Sequence, residues 1–356
     1  MQLGILGLPK VGKTLLFNLL TGSEEETGKF SVSQETHIGV AKVRDSRLEA
    51  LRDMYSPKRY TQATFDYVDL PGIEEASTGR GPDLGDLRNV DALMHVVRCF
   101  DDPEIPHPTG GVDAARDIVD LNLELVLADH DLVSRRLARL TQATKRGLSD
   151  EEKREQALLT DRVLPALEAE QPLRLLELGE DDQRRLRGFQ LLSAKPQLVA
   201  LNVEESEVAN EPAAELVEVA GRDTGVIVVS APIEEEVSKL DDDDQRELLG
   251  ELGLEEASTV RLLRASYFLL GLVSYFTVGE DEVKAWTIQR GTGARDAARK
   301  IHSDIARGFI RAEVIPWQSL VEERSWSACR EKALLRLEGK EYEVADGDVI
   351  NFRFNV

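Results

Sequence analysis

A glycine-rich segment near the N-terminus has the residue types and spacing of a phosphate-binding loop. Residues 7–14 match the pattern G-x-x-x-x-G-K-[ST]. In such a loop the glycines let backbone N–H groups close around phosphates, the lysine neutralises their charge, and the hydroxyl of Thr14 is a Mg²⁺ ligand. Lys13 is also a candidate catalytic residue, and Mg²⁺ is the expected cofactor. The predicted nucleotide contacts of this loop are Gly7, Lys10, Val11, Gly12, Lys13, Thr14 and Leu15.

A second motif, Asp69-Leu-Pro-Gly72, follows about fifty-five residues later, a spacing typical of switch-type nucleotide-binding domains. The carboxylate of Asp69 is expected to hold Mg²⁺, and the N–H of Gly72 is expected to reach the γ-phosphate. Ile73 occupies the position at which Ras-like proteins carry the glutamine that orients the attacking water. Because an aliphatic side chain cannot hydrogen-bond to water, we expect hydrolysis to be slow or to use another residue.

The segment expected to recognise the base departs from the usual guanine-reading motif N-K-x-D. Val203 replaces the lysine, and the longer Glu205 replaces the aspartate, so guanine specificity should be weakened. The amide of Asn202 can pair with adenine, which makes ATP a candidate ligand. A second base-contacting loop is predicted directly after the next strand. The predicted base contacts are Asn202, Val203, Glu205, Ser230, Ala231 and Pro232.

These motifs require a sheet whose strands end at one edge, and the hydrophobic pattern predicts one. Apolar runs alternate with short helices over the first hundred residues, which indicates a mostly parallel sheet with helices on both faces. The predicted fold class is therefore α/β, a P-loop NTPase with a Ras-like nucleotide-binding domain. The predicted strands are Leu3–Gly7, Thr64–Leu70, Ala92–Cys99, Gln197–Leu201 and Val226–Ser230, and the first helix is Lys13–Leu20.

Two further regions interrupt or follow this domain. Residues 113–188 are predicted to form a helical-hairpin insertion, whose second helix starts at a capping box formed by Ser149 and Glu152. From residue 274 onwards the pattern is that of a small β-grasp domain. Its predicted elements are a hairpin over 275–288, the helix Ala294–Arg307, strands at Phe309–Ile315 and Val349–Phe354, and further strand over Leu334–Val344 with a turn at 338–340. The nucleotide-binding domain accordingly comprises residues 1–112 and 189–273, and the third domain residues 274–356.

Composition excludes several classes of protein. The 356 residues carry a net charge of −22 and are 42% apolar, as in globular proteins. No segment reaches the ~20 apolar residues of a membrane span, so we expect a cytoplasmic protein that does not bind membranes. Only Cys99 and Cys329 are cysteines, which argues against a disulfide framework or zinc site. The acidic total makes DNA an unexpected partner, whereas residues 275–356, with 13 basic and 14 acidic residues, could meet ribosomal RNA at lower electrostatic cost.

The sequence resembles the YchF/Obg-like ATPases, P-loop proteins related to translation factors. The likeness covers nearly the whole chain, includes Ile73 and the 202–205 variant, and is strongest in the C-terminal domain, which looks like that family's TGS domain. It implies a preference for ATP over GTP and a ribosome, ribosomal RNA or translation factor as partner. The segments that carry the C-terminal likeness are Ala285–Ile288, Phe309–Val314 and Asp346–Val356.

The resemblance also implies roles by position. His107 falls where the family has a loop histidine proposed to replace the missing glutamine, which makes it a candidate catalytic residue. Ser33 falls where the family has the switch-I ligand of Mg²⁺, and Thr36 is close enough to take that role instead. Lys10 stands where the family usually has asparagine, and the segments 31–36 and 74–86 also depart from the family's pattern.

Three functions follow from these observations. The first is a slow ATPase that cycles between ATP and ADP states as a regulator associated with ribosomes. The alternatives are a nucleotide-dependent module that binds RNA or ribosomes with negligible turnover, and a conventional GTPase. A small-molecule kinase is disfavoured because Asp69, Gly72 and a base-reading loop serve a switch, and the sequence contains no recognisable acceptor site.

Overall fold

The computed structural model describes residues 1–25, 36–70, 84–143 and 147–355. The chain forms two compact units. The first unit contains Met1–Gly39 and Asp66–Ala265, and the second contains Val40–Phe65 and Ser266–Val356. In the described residues, no helix is both long enough and apolar enough to cross a bilayer.

The described strands are short, and β1, β5 and β6 are almost wholly buried. In chain order they are β1 (Gln2–Leu6), β2 (His37–Val43), β3 (Arg59–Thr61), β4 (Ala63–Asp69), β5 (Ala92–Arg98), β6 (Gln197–Asn202), β7 (Gly225–Val229), β8 (Leu272–Val278), β9 (Glu282–Gln289), β10 (Phe309–Pro316), β11 (Arg336–Glu338) and β12 (Asp348–Phe354).

The helices range from single turns to a helix of 30 residues. They are α1 (Lys13–Thr21), α2 (Ser46–Tyr55), α3 (Ala114–Ala143), α4 (Asp150–Leu158), α5 (Leu164–Glu168), α6 (Glu180–Leu186), α7 (Ala214–Ala220), α8 (Ala231–Ser238), α9 (Asp242–Glu251), α10 (Ser258–Leu269), α11 (Ala294–Ile301), α12 (Ser303–Arg307), α13 (Trp317–Glu323) and α14 (Trp326–Glu331).

The first sheet has the strand order β2-β4-β1-β5-β6-β7. The pairs β4–β1, β1–β5, β5–β6 and β6–β7 are all parallel. Every residue of β5 and β6 is buried, as expected for central strands covered on both faces. This arrangement confirms the predicted α/β class, and the predicted strands agree with the observed ones to within one residue at each end.

The helical insertion is built on α3, whose buried residues include Val126, Val133 and Leu140. These side chains share a core cluster with Leu159 and Val163 of the turn that links α4 to α5. The predicted capping box is confirmed: the Ser149 hydroxyl accepts from the Glu152 N–H, and the Glu152 carboxylate accepts from the Ser149 N–H.

The second unit contains a mixed sheet of order β11-β10-β12-β8-β9-β3. Strands β8 and β9 form an antiparallel hairpin, β12 joins β8 in parallel, and α11 packs against β9 and β10. Three alanines, Ala294, Ala297 and Ala298, let α11 approach the sheet closely and are fully buried. This topology is that of the predicted β-grasp.

Two predicted elements of this unit are wrong. The single helix Ala294–Arg307 is divided at His302, whose extended backbone (φ −162°, ψ 143°) ends α11, and whose Nδ1 accepts from the Asp304 N–H to begin α12. For Leu334–Val344, the predicted turn at 338–340 is confirmed by the bond from the Tyr342 N–H to the Gly339 carbonyl. The predicted extent of strand is wrong, because only β11, before the turn, is a strand.

The residue boundaries of the two compact units differ from those of the predicted domains. Residues 40–65 lie in the second unit, where β3 pairs in parallel with β9. The insertion lies within the first unit. The three-domain division with a nucleotide-binding domain over 1–112 and 189–273 therefore stays a proposal about function.

Candidate nucleotide-binding site

The glycine-rich loop joins the end of β1 to the start of α1, and parts of its backbone have positive φ angles, which residues other than glycine rarely adopt. Gly12 has a φ of 98°, and Lys10, which is exposed, has a φ of 62°. A Cβ atom on Gly7 would lie 2.4 Å from the Val96 carbonyl oxygen. A Cβ atom on Gly12 would lie 2.6 Å from the amide nitrogen of Asn202. The loop is therefore a close-packed turn of backbone, as phosphate binding by N–H groups requires.

Lys13 is the buried cation of this loop. Its side chain is held at the start of α1, and its ammonium donates to the carbonyl oxygens of Gly7 (3.2 Å) and Leu8 (2.8 Å). Burial lowers the pKa of Lys13 to about 8, against the opposing effect of the Asp69 carboxylate. Phosphate oxygens could replace both carbonyl oxygens as acceptors, so the ammonium lies where it could bind a phosphate held by the loop.

This depressed pKa predicts proton uptake on binding. With a pKa lowered to about 8, part of Lys13 is neutral at pH 8 in the free protein, and nucleotide phosphates favour the charged form, so binding should take up a fraction of a proton. Affinity should fall as the pH rises through 8, because the neutral amine must then be protonated. Titration calorimetry at pH 8 in buffers of different ionisation enthalpy measures the uptake. In Lys13→Arg, whose guanidinium stays charged, the uptake should vanish; equal uptake in both proteins would contradict the assignment.

Thr14 and Asp69 form the candidate Mg²⁺ site. The Thr14 hydroxyl donates to Asp69 Oδ2 at 2.8 Å, which brings together two hard oxygen ligands of the kind Mg²⁺ prefers. The other oxygen, Asp69 Oδ1, is buried and has no hydrogen-bond partner within the described part of the chain. Burial raises the pKa of this carboxyl, an effect that Thr14 and Lys13 oppose. A buried carboxylate oxygen without a partner fits a cation site.

The segment predicted to read the base lies at the ends of β6 and β7. Asn202 is buried; its amide donates to the Val11 carbonyl (3.0 Å) and accepts from the Ala231 N–H (3.0 Å). The Asn202 side chain thus links the glycine-rich loop to the start of α8. Its amide has a second N–H that could donate to a base. Val203 is buried, whereas Glu205 is exposed at the start of a short 3₁₀ turn.

The other predicted base contacts occupy the loop that precedes α8. Ser230 is buried at the N-cap position, and Ala231 directs its N–H to Asn202. Pro232 is exposed in the first turn of α8. Val11 and Leu15 flank the phosphate-binding loop, Val11 buried and Leu15 half-buried. Asn202 thus contacts both Val11, 191 residues before it in the chain, and Ala231, 29 residues after it, each at 3.0 Å.

His107 lies in the loop between β5 and α3. Its side chain is 3% exposed, and its Nε2 is 3.1 Å from Asp117 Oδ2. Its Nδ1 is 3.0 Å from the Thr109 hydroxyl. Among the described residues its polar contacts are with Asp117 and Thr109, neither of which belongs to the phosphate-binding loop.

Three of the predicted switch positions cannot be placed. Ser33, Gly72 and Ile73 lie outside the described residues. Thr36, the alternative to Ser33, donates to Asp86 at 2.9 Å. Both cysteines are free thiols, and burial raises the pKa of Cys99 to about 12.

Sequence reasoning missed two residues that organise the His107 loop. Arg98, 1% exposed at the end of β5, donates to the carbonyl oxygens of Phe100 (3.0 Å) and Ile105 (2.9 Å). Asp117 is buried on α3 against His107. A charged residue within an apolar strand or on the apolar side of a helix was the available signal in both cases.

Comparison with known proteins places this site in a family. The chain is 41% identical to the ribosome-binding ATPase YchF of Bacillus subtilis over 99% of both chains. It is 39% identical to the protein of the same name from Escherichia coli O157:H7, again over 99% of both. The chain belongs to the YchF family. Residues 272–355 match the family model YchF-GTPase_C, described as a protein of unknown function, and residues 2–130 match one described as a 50S ribosome-binding GTPase.

A solved YchF structure has the same fold over the whole chain. The YchF GTPase of Schizosaccharomyces pombe covers 99% of this chain, and this chain covers 97% of it, with 28% identity and a TM-score of 0.85. Membership of the YchF family confirms the resemblance and the fold class that the sequence predicts. The YchF relatives are named ATPase in one case and GTPase in the other, so their names do not decide between adenine and guanine.

Proposed function

We propose that this chain is a nucleoside triphosphatase that binds ATP with Mg²⁺, hydrolyses it slowly, and acts on ribosomes as a cytoplasmic regulator of translation. The observation that carries the proposal is the hydrogen bond from Thr14 to the buried Asp69, beside a glycine-rich loop whose carbonyl oxygens hold the Lys13 ammonium. Relatives at about 40% identity named ribosome-binding ATPases support both the triphosphatase class and the ribosome as partner.

The site residues have separate tasks in this proposal. Lys13 exchanges its two carbonyl acceptors for phosphate oxygens, and the N–H groups of the glycine-rich loop bind the remaining phosphate charge. Thr14 and Asp69 would hold Mg²⁺, which when bound neutralises charge on the phosphates. His107 supplies the hydrogen bond to the attacking water that Ile73 cannot make.

Phosphate release distinguishes an enzyme from a binding module. We expect slow multiple turnover of ATP by the protein alone and faster turnover when 70S ribosomes are added. The variant Asp69→Asn, which keeps the size of the side chain and removes its charge, should lose Mg²⁺-dependent turnover. Nucleotide binding to ribosome-associated protein with no phosphate release under either condition would favour the nucleotide-dependent binding module instead.

ATP should bind at least about tenfold more tightly than GTP, since a base-edge hydrogen bond lost or left unpaired is worth about 1–3 kcal/mol. Guanine recognition needs a carboxylate at the right reach, and Glu205 is one methylene longer than the aspartate of the guanine-reading motif. Competition of unlabelled ATP and GTP against a fluorescent ATP analogue, at fixed Mg²⁺, measures the preference.

Shortening the side chain should move the preference towards guanine. In Glu205→Asp we expect GTP affinity to rise and ATP affinity to change little. Glu204→Asp is the matched control, because the neighbouring Glu204 is also exposed and loses the same methylene. Tighter binding of GTP than ATP by the unmodified protein would leave the conventional GTPase as the better description.

A further inference from the structure

Both nitrogens of the His107 ring face polar side chains in this structure. Nδ1 faces the Thr109 hydroxyl at 3.0 Å and lies 3.4 Å from the Thr109 N–H. Nε2 lies 3.1 Å from Asp117 Oδ2, at the distance of an ion pair rather than in an aligned hydrogen bond. The two side chains are 3% and 2% exposed. A ring in this environment cannot offer a nitrogen to a water molecule beside a nucleotide.

The carboxylate that faces His107 is itself held in place. Arg116 donates to Asp117 Oδ1 from Nε (3.1 Å) and from Nη2 (2.9 Å). The same Nη2 donates to the Gly111 carbonyl at 2.7 Å, so Arg116 joins the end of the loop to α3. The neighbouring Ile118 is fully buried in the core and anchors this part of the helix. Asp117 therefore sits on a fixed element, whereas His107 sits on the loop.

We propose that Asp117 is a positioning residue that retains His107 in a resting conformation, and that breaking this contact makes His107 available to the reaction. The inference rests on the proposed function, in which His107 acts on the attacking water. Asp117, in the first turn of α3, would thus keep ATP turnover low until the loop that carries His107 moves.

Burial provides the restraint. Asp117 Oδ2 is buried and accepts no hydrogen bond in the described chain, so the 3.1 Å contact with His107 Nε2 is its polar contact there. If His107 leaves, that contact is lost, which is unfavourable for a buried charged oxygen. The Arg98 side chain donates to the carbonyl oxygens of Phe100 and Ile105 and so holds the first half of the loop to β5. The movement that releases His107 is therefore confined to the segment around it. Removing the carboxylate abolishes the penalty for departure without altering His107 or the phosphate-binding loop.

Turnover measurements test the restraint directly. In Asp117→Ala we expect the kcat of ribosome-free ATP hydrolysis to rise about fivefold with KM little changed, because only the population of released His107 changes. The double variant Asp117→Ala/His107→Ala should show the low turnover of His107→Ala. Asp120→Ala, which removes an exposed carboxylate three residues further along α3, is the matched control and should behave like the unmodified protein.

Histidine modification supplies a readout that does not depend on activity. Diethylpyrocarbonate labelling followed by mass spectrometry should modify His107 slowly in the unmodified protein and several times faster in Asp117→Ala. His302, whose side chain is 63% exposed, and His95, which is 1% exposed, are internal references for fast and slow labelling. If Asp117→Ala does not fold, Thr109→Ala removes the other contact of the ring from an exposed position and should raise labelling and turnover in the same direction.

The outcomes separate this inference from the function on which it rests. Unchanged turnover in His107→Ala overturns the role of His107, and the inference with it. Reduced turnover in His107→Ala, combined with no rise in Asp117→Ala, overturns the restraint alone. A rise that persists in the double variant also overturns it, because the effect would then not act through His107.

Discussion

Gly7→Ala should reduce ATP affinity about 100-fold or more. The added Cβ would lie 2.4 Å from the backbone carbonyl oxygen of Val96, which belongs to a central strand and cannot rotate away. The glycine-rich loop must therefore move by a distance comparable with the overlap, and misplacement of a binding group by about 1 Å can cost 10²-fold. Titration of the variant with a fluorescent ATP analogue, at saturating Mg²⁺, measures the loss.

Gly22→Ala is the matched control for this prediction. Gly22 also has a positive φ, 69°, but a Cβ there would meet nothing within 4 Å. The control should lose about 1 kcal/mol of stability from backbone strain, seen in thermal unfolding, and bind ATP normally. ATP binding by Gly7→Ala within threefold of the unmodified protein would show that the loop tolerates the side chain and that the close approach to β5 is not required.

His107→Ala should lower kcat about 100-fold while nucleotide affinity changes little. A general base or water-orienting group contributes typically 10²–10⁴-fold, and the interaction exists only in the transition state, so its loss leaves ground-state binding intact. Single-turnover hydrolysis and equilibrium nucleotide binding, measured on the same preparation with and without ribosomes, separate the two quantities.

His130→Ala is the control for the loss of an imidazole. His130 is half-buried on α3, away from the turn that carries Asp117, and should be dispensable for turnover. If His107→Ala hydrolyses ATP at the unmodified rate, His107 is a structural residue of its loop, and the group that activates water must come from the ribosome or another partner.

Local signals in the sequence determined much of this protein. The glycine-rich loop, the apolar runs that form the neighbouring strands and the capping box at Ser149 each depend on residues within a few positions of one another, so they can be predicted from local sequence. The phosphate-binding character of the candidate site could be predicted for the same reason. Lys13 and Thr14 are the first two residues of α1 and directly follow the glycine-rich loop.

Only the tertiary structure decided which distant residues meet. Strand β3 pairs with β9 across more than 200 residues of chain, which places residues 40–65 in the second unit. The partners of Asn202, the burial of Asp117 against His107, and the division of the predicted helix at His302 likewise depend on what the fold packs around each residue. The physical reason is the same in each case. A side chain's propensity is fixed by its own structure, but its partner and its exposure are set by groups that the chain brings near it only after folding.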